Sequence, residues 1–105
     1  MILFSKQQFE DKRLAVVVTE NDFEVHFKLV ELLRILFDMC DHTYINEMYI
    51  KVFEEFPNTK YVTLNGLTTL ADISTRKLIA RRLQTWAHDL NRRIFINRCF
   101  KQGLL

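Results

Sequence analysis

Only two glycines and one proline occur in 105 residues. Sandwiches and barrels need a turn signal roughly every ten residues, so this scarcity argues for a mainly α fold with a small β element. It also removes the phosphate-cradling loops, because Gly66 and Gly103 cannot supply either common glycine-rich fingerprint. Cysteine is equally sparse. Cys40 and Cys99 stand among apolar neighbours with no second motif, the pattern of reduced, buried thiols. With His26, His42 and His88 they form no close pair of the kind zinc sites use. Cys40 and His42 diverge by about 200° on a helix, and adjacent His88 and Asp89 diverge as well, whereas a nucleophile and its base must converge. The chain is therefore expected to be no enzyme and to need no metal or other cofactor. No apolar run approaches the roughly 20 residues that span a bilayer, and the opening MILFSKQQFEDKR turns charged too soon for a secretory signal. These absences predict an intracellular, cytoplasmic protein with no membrane contact.

What is present points to a single packed domain, residues 1–105: 49% of the chain is apolar and nine residues are Phe. Residues 1–20 read as an arm with one strand, RLAVVVT, where three successive valines favour extended backbone. Asn21 with Glu24 has the spacing of a capping box, and a helix is predicted from Asp22 to Cys40. Its polar residues Glu24, Lys28, Glu31, Asp38 and Asp41 form one narrow stripe, and the rest is apolar. A helix apolar over most of its circumference is buried centrally or shared with a second chain, so residues 21–42 are expected to be a core or dimerisation helix. Thr43 is placed to cap another helix ending at Phe56, before Pro57 and Asn58. KYVTL reads as a short strand, GLTTLAD as two turns of helix, and Ser74 to about Leu90 as a long helix. The run RRIFINRCF fits either a strand or continued helix.

The formal charge of +2 conceals an asymmetry. Residues 20–56 carry nine acidic and three basic side chains, while residues 74–105 carry one acidic and eight basic. Such separation suggests nucleic-acid contact. Within residues 43–105 the stretch VTLNGLTTLADISTRKLIARRLQTW runs from a strand into a helix bearing Leu67, Leu70 and Ala71, through a tight turn at Asp72, Ile73 and Ser74, into the basic helix. This order resembles a winged helix-turn-helix domain. The resemblance implies a winged-helix-like helical domain with an additional long apolar N-terminal helix, and a second helix that enters the DNA major groove.

On a helical projection Ile79, Leu83, Trp86 and Leu90 share one side within about 40°, and Lys77, Arg81, Gln84 and His88 share the opposite side. Arg suits guanine edges, Gln suits adenine and Lys suits phosphate, while Ser74 and Thr75 stand at the positive end of the helix dipole. Arg76, also expected at the nucleic-acid face, flanks the apolar stripe with Arg82, where long side chains snorkel outward, and Arg92, Arg93, Arg98 and Lys101 add contacts to the DNA backbone. The expectation is a small DNA-binding regulator of transcription or replication that, if dimeric, prefers sites with two-fold symmetry. A competing expectation is a protein-binding module or inhibitor that meets a basic partner through the acidic 20–56 region, at Asp38, Asp41, Glu47, Glu54 and Glu55, without touching nucleic acid. Trp86 and the tyrosines Tyr44, Tyr49 and Tyr61 are read as core.

Overall fold

Three successive valines bordered by polar residues do form a strand, and in the computed structural model it lies within an antiparallel sheet. The structure describes residues 2–20, 24–38 and 41–101, with side chains for all of these except His42 and residues 97–101. Strands β1 (Ile2–Phe9) and β2 (Lys12–Thr19) make a hairpin in register from Phe9 opposite Lys12 to Ile2 opposite Thr19. Strand β3 (Val25–Lys28) leads directly into helix α1 (Leu29–Leu36). Two single 3-10 turns, His42–Tyr44 and Glu47–Tyr49, precede β4 (Ile50–Phe53) and β5 (Phe56–Thr63). Helices α2 (Leu64–Ile73) and α3 (Lys77–Lys101) follow. The five strands are ordered β1-β2-β3-β5-β4, all neighbours antiparallel.

Alternation along the strands divides the core in two. Leu14, Val16 and Val18 of β2, Val25 and Phe27 of β3 and Val62 of β5 pack with α1, α2 and α3. The opposite face of the sheet presents Ala15, Val17 and Tyr61, closed over by Ile2, Phe53 and Phe56. The β4–β5 hairpin reaches across this second face: the Phe56 ring lies 5.3 Å from that of Phe4 on β1, although β2 and β3 stand between those strands in the sheet. The pairing of β2 with β3 stops at Val16 opposite Phe27, and the next amide, that of Ala15, donates instead to the Glu31 carboxylate of α1 at 2.8 Å.

The fold is therefore α+β, which corrects the expected mainly α, winged-helix-like domain. No long apolar N-terminal helix exists among the described residues, because Val25–Lys28 is a strand and α1 begins only at Leu29. The nearly all-round apolar pattern came from a strand buried on both faces, followed by a short amphipathic helix. The side chains of Leu29, Leu32, Leu33, Ile35 and Leu36 are consumed by the protomer's own core. Asn21, Asp22 and Cys40 lie outside the described residues, as does the Cys99 side chain. The helix expected from Thr43 to Phe56 is replaced by the 3-10 turns and β4. RRIFINRCF continues α3, so no wing strand follows Leu90 among the described residues. The strands at RLAVVVT and KYVTL and the helix at GLTTLAD are found where expected. Among the described residues no helix is long and apolar enough to cross a membrane.

Two buried positions test this packing. Gly66 sits in the first turn of α2, its amide capped by the Thr63 hydroxyl at 3.1 Å. A Cβ there would stand 2.9 Å from Tyr49 Cβ, 3.1 Å from Ile45 Cδ1 and 3.2 Å from Val62 Cβ. Gly66→Ala is expected to lower stability by about 1–3 kcal/mol in urea denaturation despite alanine's better helix propensity. His26 is fully buried, with its ring edge-on to Phe53 at 5.1 Å and, among the described residues, no hydrogen-bond partner at either nitrogen. Burial pushes its pKa below the ordinary 6.5, partly opposed by the Glu24 carboxylate 3.7 Å from Nε2. The fold accepts the neutral ring, so its contribution is complete above that value and declines as pH falls from there toward the lower folded pKa. His26→Phe is expected to flatten this decline, read as thermal stability from about pH 7 downward.

Candidate nucleic-acid interface

Helix α2 ends at Ile73, three residues turn the chain, and α3 starts at Lys77. The turn is clamped from below. Ser74, fully buried, donates its hydroxyl proton to the Leu36 carbonyl at 2.6 Å and accepts from the Arg76 amide at 3.1 Å. The Arg76 guanidinium reaches the carbonyls of Ile35 at 3.0 Å and Arg34 at 3.4 Å and pairs with Asp38. A cation on the free carbonyls at the end of α1 is favourably placed against that helix dipole. Ser74 is thus committed to the fold, and Arg76 ties two helices together. Thr75 is exposed on the turn.

On α3 the buried stripe is Ala80, Leu83, Ala87 and Leu90, with Ile79, Trp86 and Ile94 partly covered. The small residues Ala80 and Ala87 let α3 approach its neighbours closely, and they rotate the buried direction by roughly 60° from one centred on Ile79. Trp86 packs on Phe9 and Phe27, with ring centroids 5.4 and 6.1 Å away, and donates Nε1–H to the Gln8 carbonyl at 2.8 Å. The outward face therefore carries Leu78, Arg81, Arg82, Thr85 and His88 at its centre, all exposed, with Lys77 and Gln84 on one flank. Leu78 is 73% exposed. A leucine that the projection left between the two faces, surrounded by cations, was the available sign of this rotation.

The site is polar and only partly self-neutralised. Lys77 donates to the Asp72 carbonyl at 3.0 Å and Gln84 to its carboxylate at 3.3 Å. Arg82 pairs with Glu10 at 2.6 Å. Asp89 takes both Arg92 at 2.8 Å and Arg93 at 3.0 Å, and the hydrogen bond from Arg92, aided by Arg93, holds its carboxyl below the ordinary range. Two guanidinium groups thus share one carboxylate. Among the described residues, the Arg81 guanidinium and the His88 imidazole have no hydrogen-bond or ion-pair partner. One shallow depression is lined by Gln84, Thr85, His88, Asp89 and Arg92, and another, between α2 and α3, by Asp72, Lys77, Arg81 and Gln84.

The acidic residues are less concentrated in function. Asp38 is bound to Arg76, and Asp41 caps the His42–Tyr44 turn through Thr43. Glu47, Glu54 and Glu55 remain exposed. No group of three His, Cys, Asp or Glu side chains among the described residues is placed to hold a metal ion. In comparisons with known proteins, no family model, curated protein or solved structure matches the chain.

Ser74→Ala would leave the Leu36 carbonyl and the Arg76 amide short of a partner in a buried site. The expected cost is about 1–3 kcal/mol of stability, measured by denaturant titration. Ser74→Ala would show little loss if the hydroxyl were a surface contact.

Proposed function

We propose that this chain is a DNA-binding protein, serving transcription or replication, that lays the first three turns of α3 in the major groove. The observation that carries the proposal is the outward face of α3, where Arg81 and His88 are exposed beside Lys77, Gln84 and Thr85 and, among the described residues, have no internal partner. Phosphate contacts fix a protein on the duplex and planar side chains then read base edges. Lys77 and Thr75 are suited to phosphates at the entry of the helix, and Arg81 and Gln84 to base edges. Leu78 suits a thymine methyl, an apolar contact that would account for its exposure among cations. The helix, three-residue turn and second helix follow the order of the helix-turn-helix resemblance, which supports the same reading.

The test is fluorescence anisotropy with a labelled mixed-sequence duplex over a salt series. Wild-type affinity is expected to fall steeply with salt, and Lys77→Ala/Arg81→Ala should bind more weakly with the logarithmic salt slope reduced by about two. The melting temperature of that variant should stay near wild type. Absence of binding at low salt, or an unchanged slope, would reject the proposal.

A further inference from the structure

Beyond Leu90, Ile94 stays against the core but Phe95 and Ile96 leave it. Phe95 and Ile96 fall about 140° and 120° to either side of the core-facing Leu90 direction, and they are 54% and 46% exposed. Arg92 and Arg93 flank them. Both arginines pair with Asp89, and residues 89–101 contain four basic side chains and one acidic. Among the described residues, nothing covers this apolar and basic surface within one protomer.

The same protomer displays a surface of opposite character around β4. Tyr44, Met48 and Val52 are exposed, Met48 at 74% and Val52 at 53%. Exposed Glu47 precedes Met48, and Glu54 and Glu55 form the turn of the β4–β5 hairpin. Residues 47–55 hold three acidic side chains and one basic. β4 is also an edge strand, open along one side.

We propose that these two surfaces bind each other between two copies of the chain: the end of α3 of one protomer, through Phe95, Ile96, Arg92 and Arg93, docks against Met48, Val52, Glu54 and Glu55 of its partner. Charge complementarity selects this arrangement over α3 pairing with α3, which would oppose like charges. A two-fold axis makes the contact reciprocal, and repeating it is how a small patch reaches the roughly 1,200 Å² that stable interfaces bury. The interface requires no DNA and goes beyond the function proposed above.

The test is sedimentation velocity of the full-length chain without nucleic acid, with circular dichroism to confirm folding. Wild type is expected to dimerise. Phe95→Ser/Ile96→Ser and Glu54→Lys/Glu55→Lys should each weaken the dimer at least about tenfold. Adding Arg92→Glu/Arg93→Glu to the lysine variant exchanges the charges and should restore most of the loss. A monomeric wild type overturns the proposal, as does a dimer that only the Phe95/Ile96 variant weakens, or a charge exchange without rescue. If a charge variant loses its helical signal, Met48→Ser/Val52→Ser replaces it, with the same weakening expected and its absence equally decisive.

Discussion

The hydroxyl of Ser74, lodged between the Leu36 carbonyl and the Arg76 amide, fixes where α3 begins. Arg76 extends the joint by gathering the carbonyls of Arg34 and Ile35 and the carboxylate of Asp38. These contacts lock the turn after α2 to the end of α1, and α1 is itself pinned to the sheet by its buried leucines and by Glu31 on the Ala15 amide. Buried hydrogen bonds of this kind contribute modestly when made and cost more when broken. Their larger consequence is orientation. With its start held by Ser74 and its middle by Trp86 on Gln8, α3 presents one defined face to solvent.

That orientation determines what the charge does. Arg76 and Arg82 serve the fold, bound to Asp38 and Glu10, whereas Arg81 on the outward face has no such tie among the described residues. The turn and the helix after it thus divide their arginines between tethering and presentation. Exposed ion pairs of this type add little stability, and the face remains net positive because a single Asp89 answers both Arg92 and Arg93.

Several elements were legible in the sequence for physical reasons. Consecutive β-branched residues marked β2, and helical spacing of Leu67, Leu70 and Ala71 marked α2. The hairpins were hidden because their turns lack glycine and asparagine: Glu10–Asp11 closes the first, with Glu10 at φ 53°, and Glu54–Glu55 closes the second. Counting turn signals therefore underestimated the sheet. Spacings of three and four in Ile45, Met48, Tyr49 and Val52 imitated a helix, yet Met48 and Val52 are exposed and the pattern is no buried stripe. At the site, the basic face of α3 was visible as periodicity, whereas the burial of Ser74 and the tethering of Arg76 depend on α1, about 40 residues earlier. Local pattern carries no information about such partners.

The central claim is that the outward face of α3 meets DNA, and amide chemical-shift mapping of the labelled protein with an unlabelled duplex tests it most directly. The account predicts that the largest shifts fall between Lys77 and His88, with α1 and the β1–β2 hairpin little changed. Shifts confined to the sheet, or none at saturating duplex, would contradict it.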